Sequence, residues 1–306
     1  MRRTATFGGM PELPDLAILA DAIDTSLHGR AFVAGTTPQS LVLRGTQAEL
    51  AALGGQDLLE VYRRGKFLVF NFGHDRMVFN PMLTGRLGLA GVADKKWPQA
   101  AALFTFAAAA ADGHSDKGRS LRLPEWPGAD AEWLPARDEP IELRYRDATR
   151  MGKIYLMPVG VERVVAGWDE QGPDADDPAL TIQVWRERIG RYHGELKNLL
   201  RNQAFVAGIG NAYSDEILWE ARLAPFRKRS SLASDEIDAL YEATRDVLDW
   251  AIAQLRRLVP PRLEVEQREF LRVHRKGGQS CPRCGTRISE VSAGGFVTSY
   301  CRGCQR

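Results

Sequence analysis

Between residues 12 and 29, apolar side chains return every third or fourth position: Leu16, Leu19, Ala20, Ile23 and Leu27, with Gly29 after the last. This spacing predicts a helix closed by a residue that accepts a left-handed backbone. From about residue 31 to 90 the rhythm shortens. The runs 40–44, 66–72 and 77–80 read as strands punctuated by Gly and Pro, as in a sandwich or barrel. Residues 102–108 read as a further strand, and 142–145 with 153–157 as a returning strand pair. Residues 112–140, rich in Pro, Gly, Asp and Trp, read as an irregular surface excursion with no assigned role. Residues 171–177, with two prolines nearby, read as an interdomain linker. Helical patterning dominates beyond it. Ser234 is placed to cap a helix with Asp235 and Glu236 in its first turn, running through Leu240, Val247, Ala251 and Leu255 until Pro260-Pro261 stops it. The order is a β-rich domain, a helical domain and a small cysteine unit.

A chain of 306 residues suggests two or three packed units. Its 44% hydrophobic and 26% charged residues are ordinary for a globular protein. No window approaches the roughly 18 to 20 apolar residues of a membrane helix. The start, MRRTATFGG, lacks the apolar core of a secretory signal, so a cytoplasmic location is expected. The net charge of +2 points to no particular partner, but its distribution does. Residues 271–306 hold seven basic residues (Arg272, Arg275, Lys276, Arg283, Arg287, Arg302, Arg306) against one acid, Glu290. Such an excess attracts a phosphate backbone, and it equally describes a solvated tail.

All four cysteines are gathered at the end. Cys281-Pro-Arg-Cys284 and Cys301-Arg-Gly-Cys304 form two CxxC pairs with 16 residues between them. Each pair can put two thiolates on one side of a metal, and two pairs complete a tetrahedron. One structural Zn2+ is expected, because four thiolates leave no position open for water. The intervening segment suits a β-hairpin. Upstream, Gly208-Ile-Gly210-Asn211 precedes an apolar helix. Its glycines permit a tight turn whose exposed backbone N–H groups make an anion site, with the Asn211 amide as a further donor.

In order, the chain presents Met10-Pro-Glu-Leu-Pro-Asp15, Arg63-Arg-Gly-Lys66-Phe-Leu, Gly208-Ile-Gly-Asn-Ala-Tyr-Ser-Asp-Glu-Ile-Leu218 and the two CxxC pairs. The set resembles the formamidopyrimidine-DNA glycosylase / endonuclease VIII family over nearly the full chain from Met10. The resemblance implies an α+β multidomain fold. An N-terminal antiparallel β-sandwich with flanking helices (10–165) is followed by a helix–two-turn–helix domain (175–262) and a C-terminal zinc-finger β-hairpin (270–306). It implies a bifunctional glycosylase and abasic-site lyase acting, as a monomer in the bacterial cytoplasm, on double-stranded DNA with a damaged base or abasic site. Pro11 would be the nucleophile and Glu12 the general acid/base. Lys66 would contact phosphate near the lesion and is counted with the catalytic set. Asn211 and Lys197 would bind DNA. An α-amine titrates near about 7.7 to 8, so a useful fraction is neutral and nucleophilic at neutral pH. A secondary amine also yields a cationic iminium without taking up a proton.

Four features depart from the family pattern. Nine residues precede Met10, and Pro11 can act only if they are absent from the working protein, which places the expected start at Met10. Where the family hairpin carries a phosphate-clamping arginine, this chain has Phe296, leaving Arg302 or Arg287 as candidate substitutes. The three residues that fill the space of an extruded base read Leu83, Thr149 and Met151; Leu83 and Met151 can wedge into DNA, whereas Thr149 cannot pair with the orphaned base. Residues 259–273 are too short for the loop that closes over oxidised guanine, which favours oxidised pyrimidines, ring-opened purines or abasic sites. Two other functions fit parts of this pattern: a non-catalytic damaged-DNA-binding protein of the same fold, and a zinc-ribbon adaptor, which leaves the N-terminal motif unexplained.

Overall fold

The computed structural model describes residues 9–109, 136, 138–260, 262–293 and 295–306. The leader up to residue 8 and most of the 112–140 excursion lie outside the described residues. The chain forms two compact units. One takes the chain up to Pro11, Asp15–Val165 and Arg256–Glu266; the other takes Glu12–Pro14, Ala166–Leu255 and Gln267–Arg306.

Helix α1 (Leu13–Leu27), which belongs to the first unit from Asp15 on, is buried on most sides, with Leu16, Ile18, Ala22, Ile23 and Leu27 wholly inaccessible. Its two buried acids each have a partner. Asp24 accepts the Val61 N–H at 2.6 Å, and Asp21 pairs with Arg256. A four-stranded antiparallel sheet has the order β1 (Phe32–Thr36), β7 (Ala100–Phe106), β8 (Ile141–Asp147), β6 (Gly85–Gly91). A five-stranded sheet runs β2 (Leu43–Arg44), β9 (Lys153–Met157), β5 (Arg76–Asn80), β4 (Phe67–Asn71), β3 (Glu60–Arg64), antiparallel except for β2 against β9. The sheets meet through aromatic rings: Phe79 of β5 lies 5.8 Å from Phe104 of β7 and 6.0 Å from Tyr145 of β8. The predicted 142–145/153–157 strand pair is corrected here. The two strands exist, but each joins a different sheet, because both bury an apolar face between the layers. The 40–44 run is a 3-10 turn (Ser40–Val42) leading into a two-residue strand; Val42 and Leu43 are both buried, which breaks strand alternation.

The second unit is helical with a terminal hairpin. It holds α3 (Ile182–Ile189), α4 (Leu196–Arg201), α5 (Asn211–Glu220), most of α6 (Ser234–Leu258), β10 (Ile288–Ala293) and β11 (Phe296–Cys301), while the short α2 (Gln47–Ala52) belongs to the first unit. Leu240, Ala243, Val247, Leu248, Ala251 and Leu255 give α6 one apolar stripe, which packs with Trp185, Phe205 and Tyr213. Ser234 is not its cap. The Glu236 carboxylate reaches back to the Ala233 N–H at 2.9 Å and fills that place. The 171–177 segment is no loose linker. Gly172 donates to Gln203 O at 2.8 Å and Ala175 to Ala207 O at 3.0 Å, so its backbone is stitched to the loop before α5.

Candidate active site and nucleic-acid interface

The predicted anion site at the turn before α5 exists, and its occupant is the chain's own carboxylate. Glu12 accepts from Gly210 N at 2.6 Å, Ala212 N at 2.8 Å and Tyr213 N at 3.2 Å. These are orphan donors of a helix start, and a carboxylate there also meets the positive end of the helix dipole. Two glycines make room. Gly208 has φ +101°, and a Cβ on Gly210 would stand 2.5 Å from the Glu12 carboxyl carbon. Those N–H groups are therefore occupied and do not face a phosphate. Glu12 is 3% exposed and fixed in place.

Beside this cradle, Asn211 donates through Nδ2 to Val297 O at 2.9 Å, at the start of β11. An amide nitrogen carries two hydrogens, so one remains for another acceptor. Lys197 does not present itself as a DNA contact. It is 4% exposed, paired with Asp215 at 2.6 Å and donating to the same Val297 O at 2.9 Å. Burial pushes its pKa down, and Asp215 opposes that. A buried ammonium needs such a carboxylate, and the pair positions the hairpin instead of reaching solvent. Asp215 also accepts from His274 Nδ1 at 2.8 Å and from Ser299 N at 3.1 Å.

The hairpin pairs Ile288 with Cys301 at one end and Ala293 with Phe296 at the other. Phe296, 46% exposed, is thus at the tip. Arg302 and Arg287 flank the opposite, cysteine end. At roughly 3.3 Å per residue, the six residues from Phe296 to Arg302 span about 20 Å, so neither arginine can replace a cation at the tip. Arg302 is exposed and lies beside Tyr300. The guanidinium found at the tip belongs to Arg201, the last residue of α4, stacked 3.9 Å above the Phe296 ring. Sequence reasoning missed it. The available signal was its place four residues after Lys197, one helical turn along the same face.

The four cysteine sulfurs lie within 4.8 Å of one another, with Cys281 to Cys304 at 3.8 Å and Cys284 to Cys301 at 3.5 Å. Four ligands at about 2.3 Å from a tetrahedral zinc would be about 3.8 Å apart, so the spacing fits a closed tetrathiolate site. Trp219 of α5 donates its indole N–H to Cys281 Sγ at 3.4 Å.

In the first unit, Pro11 is buried and lines a pocket with Asp15, Leu19, Arg86, Val259, Leu263, Val265 and Glu266. Arg86 bridges Glu266 at 3.0 Å and the Gly9 carbonyl at 3.2 Å. With Met10 attached, the Pro11 nitrogen is an amide. Lys66 occupies the two-residue turn between β3 and β4, preceded by Gly65 at φ +56°, and is not within a strand. Leu83 and Met151 are 39% and 46% exposed, on the loops before β6 and β9. Each follows a non-glycine residue with positive φ, Met82 at 52° and Arg150 at 57°, a backbone choice that costs energy. Asp147 ties the two loops together. It accepts from Thr84 and from Thr149 N at 3.1 Å, while Thr84 and Thr149 hydroxyls lie 2.8 Å apart. The Thr149 hydroxyl is therefore engaged inside the loop pair.

A β-sheet unit followed by a helix-and-hairpin unit, with a carboxylate seated at the start of α5, defines the class of fold seen in base-excision DNA glycosylases. The family model described as the formamidopyrimidine-DNA glycosylase N-terminal domain matches residues 10–154, and that described as the formamidopyrimidine-DNA glycosylase H2TH domain matches residues 171–258. The chain belongs to the formamidopyrimidine-DNA glycosylase family. It is 29% identical over 303 residues to the formamidopyrimidine-DNA glycosylase of Symbiobacterium thermophilum, covering 97% of this chain and 89% of that one. It is 26% identical over 305 residues to that of Pelotomaculum thermopropionicum, covering 97% and 99%. Among solved structures, a Lactococcus lactis FPG mutant in complex with a Fapy-dG containing DNA superposes with TM-score 0.76 at 22% identity, covering 97% of this chain and all 100% of that one.

Proposed function

We propose that this protein is a bifunctional DNA glycosylase and abasic-site lyase of base excision repair. The observation that carries this reading is Glu12: a carboxyl group held by three backbone N–H groups and placed next in the chain after Pro11. With Pro11 as a free N-terminus, its neutral secondary amine attacks C1′ as the damaged base departs. Proton delivery to O4′, assigned to Glu12, opens the sugar and leaves an iminium between the proline nitrogen and C1′. The cation acidifies the C2′–H; loss of that proton expels the 3′-phosphate, and a second elimination expels the 5′-phosphate. Water then hydrolyses the iminium and frees the amine.

Leu83 and Met151 are assigned as the apolar wedge, Asn211 and Lys66 as phosphate contacts, and the four cysteines as ligands of one structural Zn2+ that shapes the hairpin. The short 259–273 stretch favours ring-opened purines, oxidised pyrimidines or abasic sites over 8-oxoguanine. The protein is taken to act as a monomer on nucleoid DNA in the cytoplasm, in a working form from which residues 1–9 and the initiating Met10 are absent, so that Pro11 carries the free amine. The test is borohydride trapping on abasic-site DNA with protein beginning at Pro11. Reduction of the iminium gives a stable amine, and a covalent adduct mapped to the Pro11 peptide is expected. Protein with a free Pro11 that binds this DNA yet yields no adduct is a damage binder and not a lyase.

A further inference from the structure

Resting on the reading of this protein as a DNA-binding glycosylase, we infer that Arg201 is its phosphate-gripping cation at the hairpin tip, held in place by the Phe296 ring. The guanidinium lies 3.9 Å above that ring, and among the described residues it makes no hydrogen bond or ion pair. A guanidinium has five N–H donors, and stacking leaves its edge free for a planar, two-oxygen acceptor. Arg201 is half-buried, which strengthens any charge-assisted bond it makes while lowering its own pKa; the Glu12 and Asp215 carboxylates act to keep it charged. An arginine that is partly desolvated and stacked yet without a hydrogen-bonded carboxylate is incomplete by itself. A phosphate diester supplies what is missing.

Two further observations place the ligand. The carbonyl of Val297, next to Phe296, is the acceptor for Asn211 Nδ2 at 2.9 Å and for Lys197 Nζ at 2.9 Å, so the tip is pinned against α4 and α5. Arg201, on the Phe296 ring, and Asn211, on the Val297 carbonyl, thus meet neighbouring residues of the tip from two helices. The basic residues at the cysteine end lie about 20 Å along the strand, too far to serve this spot. The ring of Phe296 has a definite task in this arrangement: its face restrains a long side chain whose ordering would otherwise weaken the grip.

The test uses the full, metal-loaded chain and a duplex carrying a tetrahydrofuran abasic-site analogue, which is inert to lyase chemistry. Affinity is measured over a range of salt concentrations. Arg201→Leu is expected to weaken binding about tenfold and to reduce the slope of log K against log salt by about 0.9, one phosphate contact. Arg201→Gln, which keeps a polar but uncharged end, gives the same slope loss and serves if leucine disturbs folding. Phe296→Leu weakens binding about threefold with the slope unchanged, since the charge remains. The swap Arg201→Leu with Phe296→Arg restores the slope by returning a guanidinium to the tip. An Arg201 variant with the parental slope, measured against a parent that binds the duplex, overturns the assignment of Arg201 and leaves the glycosylase reading intact. A parent protein that shows no salt-dependent binding to this duplex overturns both.

Discussion

Two buried glutamates at α5 each bind three backbone N–H groups, with different chemical consequences. At the N-terminal end Glu12, a residue 198 positions earlier, caps three N–H groups of the turn. In the helix body Glu216 does the reverse. Its carboxylate reaches out to Arg272 N at 3.0 Å, Val273 N at 2.8 Å and His274 N at 2.9 Å, anchoring the strand of chain that leads to the cysteines. Both are nearly inaccessible, 3% and 1% exposed. Glu12 adjoins the candidate nucleophile; Glu216 adjoins only structure. A buried, triply bonded carboxylate is therefore not evidence of catalysis by itself. What it stands beside decides its role.

The largest expected effect breaks the cysteine unit to which the Glu216 contacts lead. Removing the metal with a chelator, or Cys304→Ser, should abolish specific DNA retention and lower the unfolding temperature of the helix-and-hairpin unit, read by circular dichroism and a binding assay. Structural zinc sites contribute on the order of 10 kcal/mol. Retention unchanged in the chelated protein would remove the metal from its structural role.

The same substitution at both glutamates sharpens the contrast. Glu12→Gln is expected to cut base excision by roughly 10²- to 10⁴-fold, the typical share of a general acid/base, while much of the cleavage at preformed abasic sites survives. Glu216→Gln is expected to cost about 2 to 3 kcal/mol of stability, because an amide N–H2 then faces backbone donors, with excision per folded molecule little changed. Single-turnover assays and denaturant titration separate the two outcomes. Equal activity losses would erase the distinction.

The smallest effect is in pH. Burial, with Asp215 adding to it, pushes Glu216 above its ordinary 4.5, against the lowering by its three N–H partners. A carboxyl group whose folded pKa is raised contributes stability that is complete below its unfolded value and is lost as pH rises through the folded one. The stability of the parent relative to Glu216→Gln should therefore fall as pH climbs above about 4.5. A difference that grew with pH would mean that the three N–H donors outweigh burial.

Patterns of local origin were legible in the chain. The period of Leu16, Leu19, Ile23 and Leu27 announced α1, and the CxxC spacing announced four converging thiolates around a hairpin. Linear motifs named the family. Each depends on residues close in sequence or on a motif whose geometry is repeated. Other properties needed the folded chain. That strands 141–147 and 153–157 part into different sheets depends on which layer each can cover. That Lys197 turns inward depends on Asp215, 18 residues away. That the turn at Gly208 holds a carboxylate of its own chain depends on Glu12 arriving from the start of the sequence. That Arg201 stands over Phe296 depends on a hairpin nearly a hundred residues later. Periodicity is a property of neighbours along the chain, while the partner of a buried charge is chosen by packing, and packing is settled only when every distant segment is in place.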